Sequence, residues 1–185
     1  MSMAPDQSLK PTPEAEALYR RWIAHLNDEF SRHQTVSRRS EIVRDELYQI
    51  FLGRPHGGRL NTTLDSELAF NVLTESFDPQ NVTIKAEYEE GGDRELLAIR
   101  KPLIYMWHMF DLSPLGANLW LGFRFRCMLG HHIFKHMGKG VTIYPNVRFT
   151  RGYNLTIEDN CIIYRNSVLD DRNELVIPAG SVIKP

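Results

Sequence analysis

Apolar residues near the start of the chain recur at helical intervals. They are four positions apart and form one stripe: Leu18, Trp22, Leu26 and Phe30. This spacing predicts an amphipathic helix. Thr12, Pro13 and Glu14 precede the stripe. A hydroxyl N-cap, a proline and an acidic first turn are typical of a helix start, so we expect the helix to begin there.

Further elements follow up to residue 134. A second helix is predicted from near Ser40, ending at Gly53 and Pro55, so that the two helices form a hairpin. A third helix is expected over roughly residues 64–73. Alternation in NVTIKAEY (81–88) predicts a strand, and two short helices are expected in the apolar segment 103–134.

The last fifty residues have another period. Large aliphatic residues recur every six positions from Met137, with two extra residues after each third six, which gives a repeat of twenty. The fifth position of the sixes holds small or slender side chains: Val141, Val147, Cys161, Ser167 and Ser181. Equivalent positions in successive repeats are Met137, Ile157 and Ile177; Ile143, Ile163 and Ile183; and Phe149 and Leu169.

This period predicts a parallel β-helix, in which both kinds of position point inward and three short faces close one coil. An ordinary meander of short strands with a chance six-residue spacing is the alternative. The predicted fold class is therefore α+β, a helical region followed by about two and a half coils of 20 residues. The predicted organisation is a helical hairpin (1–57), a mixed helix and strand region (58–101), an apolar helical lead-in (102–136) and an incomplete β-helix (137–185).

Composition narrows the function classes. The formal net charge of -1 argues against nonspecific electrostatic binding of nucleic acid. The two cysteines, Cys127 and Cys161, form no CxxC motif, and the N-terminus has no apolar stretch of signal-peptide length, so we expect a cytoplasmic protein. A membrane span over 103–123 is disfavoured by His108, Asp111 and Pro114 near its middle.

Two stretches carry a resemblance. NVRFTRGYNLTIEDNCIIYRNSVLDDRNELVIPAGSVI (146–183) resembles the hexapeptide-repeat acyltransferases, in particular the maltose and galactoside O-acetyltransferase and nodulation-acetyltransferase branch. SPLGANLWLGFRFRCMLGHHIFKHMGKGV (113–141) resembles the helix that leads into the repeats of such enzymes. The resemblance covers roughly residues 102–185.

The resemblance implies a left-handed β-helix and a homotrimer with active sites between neighbouring coils. It also implies acetyl-CoA or another acyl-CoA as co-substrate, with no bound cofactor, and a hydroxyl or amine acceptor, often on a sugar. In the family a histidine is the general base, the acceptor attacks the thioester directly, and backbone N–H groups stabilise the oxyanion. No covalent enzyme intermediate is implied, and Cys161 is expected to face the core and to be inert.

The chain lacks the histidine that serves as general base in the family. The family histidine lies about one coil beyond the segment that matches 169–172, and no histidine follows His136 here. We therefore expect a C-terminally truncated transferase or one with an internal deletion, and no catalytic residue is predicted.

Candidate binding residues precede the second two-residue insertion. By resemblance, Asp170, Asp171 and Arg172 bind the acceptor or orient the base; the alternative is a solvated corner. Asn166 is either an acceptor contact or a corner-turning asparagine. Cofactor-binding residues are not predicted.

Three histidines raise two alternatives. His132 and His136 share a helical face beside His131, but no third ligand is set by spacing, so no metal site is predicted. A catalytic base there is also disfavoured, because a helix before the repeats is the wrong place for the family chemistry.

The functional hypothesis is a CoA-dependent acyltransferase acting on a hydroxyl or amine of a sugar or other small acceptor, with activity weakened by the missing histidine. The alternatives are a non-catalytic β-helix scaffold that forms trimers and a membrane-peripheral, lipid-modifying acyltransferase.

Overall fold

The computed structural model describes residues 10–57 and 68–185. Helices come first and short strands follow. Six α-helices lie in the described residues: α1 (Pro13–Arg32), α2 (Val36–Leu52), α3 (Leu68–Glu75), α4 (Lys85–Tyr88), α5 (Arg94–Leu112) and α6 (Leu119–Ile133). Single 3₁₀ turns occupy Pro79–Asn81 and Pro114–Ala117.

Eight strands of two or three residues follow α6. They are β1 (His136–Met137), β2 (Thr142–Ile143), β3 (Arg148–Phe149), β4 (Leu155–Ile157), β5 (Ile162–Ile163), β6 (Val168–Leu169), β7 (Leu175–Ile177) and β8 (Val182–Ile183).

The start of α1 is confirmed. Thr12 is its N-cap, and the Thr12 hydroxyl accepts a hydrogen bond from the amide of Ala15 at 3.3 Å. Only the C-terminal half of the predicted stripe is fully buried, at Leu26 and Phe30, whereas Leu18 is exposed. In the N-terminal half of α1, Leu18 therefore faces solvent, while Trp22 is partly buried against the core.

The second helix begins earlier than predicted. Its N-cap is Thr35 and not a residue near Ser40, because the Thr35 hydroxyl accepts from the amide of Arg38. Its end is confirmed at Gly53, whose φ of +66° is the left-handed conformation that glycine adopts without strain. The predicted third helix is present as α3, and the first part of its predicted range lies outside the described residues.

The predicted strand at 81–88 is wrong. The segment ends the first 3₁₀ turn and then forms α4. Local side chains favour these turns, since Asp78 accepts from the amide of Gln80 at 2.9 Å and Glu87 accepts from the amide of Ile84 at 2.8 Å. Such local bonds offer the backbone an alternative to a sheet.

The helical core is organised around α5, which packs against α2 and α6, while α1 packs against α6. Phe110 of α5 stacks on Phe125 of α6 with ring centroids 4.0 Å apart, and Trp22 of α1 stacks on the other side at 5.0 Å. One continuous aromatic stack thus joins three helices.

The predicted left-handed β-helix is wrong. The strands form three separate parallel sheets, ordered β1-β4-β7, β2-β5-β8 and β3-β6, and none of them closes or winds into a solenoid. Consecutive strands fall in different sheets because left-handed residues turn the chain between them, with φ of +68° at Gly140, +60° at Asn146 and +65° at Asn166. The coarser expectation, a helical region followed by short parallel strands, matches the structure.

The twenty-residue register is present in these sheets. Met137 pairs with Ile157 and Ile157 with Ile177. The same offset pairs Ile143, Ile163 and Ile183, and Phe149 with Leu169. All of these side chains are buried except Ile183, which is half-buried. The repeat therefore determines which strands pair and which side chains form the apolar interior.

Helices and strands share one core. The indole of Trp107 in α5 donates a 3.1 Å hydrogen bond to the carbonyl of Val147, and its ring meets Phe149 edge-on at 5.3 Å. Helix α6 packs against β1 and β2. None of the helices in the described residues combines the length and apolar character needed to cross a bilayer.

Candidate functional site

A cavity of about 330 Å³ opens where the C-terminal end of α5 meets the strand corners. Its walls include His108, Asp111 and Leu112 from the helix and Asn146, Arg148 and Asn166 from the corners. A cavity of this size holds a small ligand or part of a larger one.

Helix periodicity places the two titratable groups of α5 together. His108 and Asp111 are three residues apart, so they lie on the same face of the helix. The bond from Trp107 to the Val147 carbonyl fixes this part of α5 against the corner that carries Asn146 and Arg148. The orientation of the helix therefore brings an imidazole and a carboxyl group to the strand corner.

The corner asparagines are equivalent positions of the repeat. Asn146 and Asn166 are twenty residues apart and have φ values of +60° and +65°. Asparagine is one of the few residues that adopt this conformation readily. The sequence left open whether Asn166 is a corner residue or a binding contact, and its position fits both, since it turns the chain and lines the cavity.

The histidine of the cavity is held in its neutral form. Burial lowers the pKa of His108, the nearby Asp111 carboxylate raises it, and the guanidinium of Arg148 lowers it, with a net decrease from 6.5. Neither ring nitrogen of His108 has a hydrogen-bond partner in the described part of the chain. A neutral imidazole with a free nitrogen can accept a proton from a bound molecule.

Asp111 is fully engaged. One carboxylate oxygen bonds both Nε, at 2.8 Å, and a terminal nitrogen of Arg126, and the other accepts from the amide of Asn146 at 2.9 Å. Both side chains of this ion pair are nearly inaccessible to solvent. Asp111 therefore fixes the corner and supplies a negative charge beside His108, but its oxygens are not free to act as a base.

Asp171, predicted to contact an acceptor, is completely buried. One carboxylate oxygen accepts from the amides of Thr150 and Arg151 at 2.7 and 2.9 Å, and the other accepts from the amide of Gly152 at 2.5 Å. Three N–H donors on one carboxylate form a strong, charge-assisted anchor for the loop after β3. We therefore assign Asp171 a structural role, which is to hold this loop.

Asp170 and Arg172 lie on the surface and bond each other. The guanidinium of Arg172 donates to both oxygens of Asp170 at 2.8 and 2.6 Å. These bonds lower the pKa of Asp170 to about 2. Neither residue lines the His108 cavity, so among the four predicted binding residues only Asn166 does.

His131 and His132 lie in the last turn of α6 and His136 lies in β1, so the expectation that His132 and His136 share one helical face is wrong. Within residues 10–57 and 68–185, no group of three or more His, Cys, Asp or Glu side chains could hold a metal ion. A ring nitrogen of His132 lies 3.0 Å from the amide oxygen of Asn27. Burial, together with Arg39, His131 and Arg100, lowers the pKa of His132 to about 4.

Neither cysteine is an activated nucleophile. Burial raises the pKa of the Cys127 thiol to about 11, and the nearby Arg124 and Arg126 only partly oppose this. Cys161 is fully buried, as predicted for a core-facing position. Thiolate chemistry needs a low pKa and access; Cys127 lacks the first and Cys161 lacks the second.

The sequence contained a signal for His108 that its apolar surroundings concealed. It lies in MWHMFD (106–111), where a polar residue falls within an apolar helix and an aspartate follows three positions later. A histidine and an aspartate three positions apart indicate a site on one helix face. From the sequence, however, His108 was considered only as a polar residue that disfavours a membrane span.

Comparison with protein-family models, curated proteins and solved structures gives no match for this chain. The resemblance to hexapeptide-repeat acyltransferases therefore rests on the residues quoted for it, and the chemistry of the cavity must be argued from its own side chains.

Proposed function

We propose that this protein is a CoA-dependent acyltransferase that transfers an acyl group, such as acetyl, to a hydroxyl or amine of a sugar or other small acceptor. The observation that carries the proposal is the neutral imidazole of His108, unbonded and facing an open cavity beside Asn166 and Arg148. Acyl transfer to a hydroxyl needs such a base. A base on α5 departs from the family, whose histidine lies beyond the repeats, and the resemblance of residues 102–185 supports only the donor class.

In the proposed reaction, a free ring nitrogen of His108 removes the proton of the acceptor hydroxyl as its oxygen attacks the thioester carbonyl. The carbon–sulfur bond then breaks, and the CoA thiolate takes the proton from the imidazolium. Leu112 lines the cavity on the helix side and Val147 lines it on the strand side.

Asn166 and Arg148 are the proposed positioning groups. The amide of Asn166 can both donate to and accept from a hydroxyl-bearing acceptor. Arg148 is exposed at the cavity and supplies a positive charge, which suits a carbonyl oxygen that becomes negative in the transition state. The negative charge of Asp111 stabilises the imidazolium that forms during transfer.

The test is release of free CoA thiol from acetyl-CoA in the presence of a panel of monosaccharides, disaccharides and small amino alcohols. We expect turnover with at least one acceptor and a loss of about tenfold for Asn166→Ala, the effect of about one strong hydrogen bond. Asn160→Ala, which changes another left-handed corner asparagine outside this cavity, is the matched control. The proposal fails if no acceptor increases thiol release or if both variants have the same effect.

A second candidate function, non-catalytic assembly, is favoured by a different observation. Strands β6, β7 and β8 each expose a valine: Val168, Val176 and Val182, all more than half exposed. We propose that these side chains contact other copies in a homotrimer. Light scattering should give three times the chain mass, and Val176→Lys should give the monomer. A monomeric wild-type protein would exclude assembly as the function.

A further inference from the structure

A second cavity, larger than the first, lies on the other side of the helical region. Its volume is about 430 Å³, and α2, α4, the N-terminal half of α5 and the loop after β3 form its walls. It shares no lining residue with the His108 cavity. It is therefore a separate site that the proposed transfer reaction does not use.

One face of α5 forms much of the wall. Arg94, Leu97, Ala98 and Lys101 line it at intervals of three and four residues, which places them along one side of the helix. Pro102 and Ala86 add further apolar surface. The cavity thus has an apolar wall with cationic groups at both ends of one helical face.

The cavity also contains hydrogen-bond donors without acceptors. Ser40 of α2 is 1% exposed, and its hydroxyl has no hydrogen-bond partner among the described residues. The hydroxyl oxygen of Tyr153 accepts from the amide of Asp93 at 2.9 Å, which leaves its hydrogen without an acceptor in the described part of the chain. Buried hydroxyl groups are nearly always bonded, so an unbonded one in a cavity wall indicates a missing acceptor.

Lys101 adds charge to these donors. Its ammonium group is 2.9 Å from one oxygen of Glu87, while the other oxygen of Glu87 accepts from the amide of Ile84 at 2.8 Å. The ammonium group has two more hydrogens than this bond uses. The cavity therefore presents hydroxyl and ammonium donors beside an apolar wall.

We infer that this cavity binds a small monocarboxylate with a short apolar body. Its two oxygens supply the acceptors that Ser40, Tyr153 and Lys101 lack, and its aliphatic part packs against Leu97 and Ala98. Glu87, Glu89 and Asp93 also line the cavity, and these three carboxylates oppose a second negative charge, which disfavours dicarboxylates and phosphates.

The test uses sodium butyrate as the probe, with isothermal titration calorimetry and saturation-transfer NMR on the full chain. Butyrate is expected to bind, and its uncharged isostere butanamide and the dianion succinate are expected to bind at least tenfold more weakly. Equal binding of butanamide, or no binding of butyrate, overturns the inference.

Two variants locate the site. Ser40→Ala should weaken butyrate binding by about tenfold, since it removes one hydrogen bond to a charged group. Ser37→Ala, an exposed position on the same helix, should leave it unchanged. Ala98→Leu fills the cavity from a solvent-facing helical position and should abolish binding without unfolding the protein. Butyrate binding that survives both Ser40→Ala and Ala98→Leu contradicts the assignment.

Discussion

The helical and strand regions of this protein satisfy their buried charges in opposite ways. In the helical region a buried cation, Arg39, donates to the carbonyls of His33, Ile99 and Phe30 at 3.0, 3.2 and 3.2 Å. In the strand region a buried anion, Asp171, accepts from three consecutive backbone amides. Asp171 bonds amides that the strand corner leaves unpaired, whereas Arg39 bonds two carbonyls at the C-terminal end of α1 and one, that of Ile99, within α5.

The difference has a structural cause. A helix leaves its last carbonyls without partners, and the guanidinium of Arg39 reaches two of them, at Phe30 and His33, from the neighbouring helix α2. The loop after β3 leaves three amides pointing the same way, and one short carboxylate can take all of them. A single residue in each region therefore replaces several hydrogen bonds that secondary structure does not supply.

Loss of the anion should have the larger effect. Asp171→Ala leaves three buried amides unsatisfied, and we expect it to lower the free energy of unfolding by about 4 kcal/mol. The measurement is equilibrium urea unfolding. Asp170→Ala, the adjacent exposed carboxylate, is the control and should leave stability essentially unchanged. Equal effects of the two variants would show that the amides find other partners.

Loss of the cation should cost somewhat less, because two of the three hydrogen bonds of Arg39 are only partly buried, whereas all three amide bonds of Asp171 are buried. We expect Arg39→Met to lower the unfolding free energy by about 3 kcal/mol. The exposed neighbour Arg38→Met should change it by about 0.5 kcal/mol. If Arg39→Met lowered the unfolding free energy as little as Arg38→Met, the helical region would not depend on one buried charge as the strand region does.

A smaller, pH-dependent effect should be confined to the helical region. Burial, together with the nearby Arg39, His131 and Arg100, holds the pKa of His132 at about 4, below its usual 6.5. The unfolded chain therefore binds more protons between these pH values, so stability is full above pH 6.5 and falls as the pH decreases toward 4. Because the ring is partly solvated, we expect roughly 1 kcal/mol.

This effect can be isolated by comparing unfolding free energies at pH 7 and pH 5 for the wild type and His132→Gln. The wild type should lose about 1 kcal/mol more than the variant. An identical loss in both proteins would mean that His132 does not titrate differently in the folded and unfolded states.

Periodic features of the fold were predictable from sequence, and features decided by single contacts were not. The twenty-residue register follows from the repeat, since each inward position needs an apolar partner one repeat away. The strand predicted at 81–88 failed because bonds from Asp78 and Glu87 to nearby amides override its alternation. The β-helix failed because the repeat specifies pairing within each small sheet but does not make the sheets continuous.

The candidate site was only partly predictable. Asn166 could be identified from its place in the repeat, and the sequence already indicated its two alternative roles, as a corner residue and as a binding contact. The roles of Asp170 and Asp171 could not be distinguished from sequence. The two are identical neighbours and differ only in which side chain points toward the loop after β3. His108 requires the contact between α5 and a strand corner nearly forty residues away, and no local pattern encodes that contact.

The most direct test of the central claim is the pH dependence of kcat/KM for acetyl-CoA turnover in the wild type, His108→Gln and His25→Gln. His25 is an exposed histidine of α1 and serves as the control. We expect His108→Gln to reduce kcat/KM by about 100-fold or more, as loss of a general base does. The wild-type rate should fall only below pH 6.5, because burial lowers the pKa of His108 from that value. A folded His108→Gln protein that keeps the wild-type rate and pH profile would contradict the account.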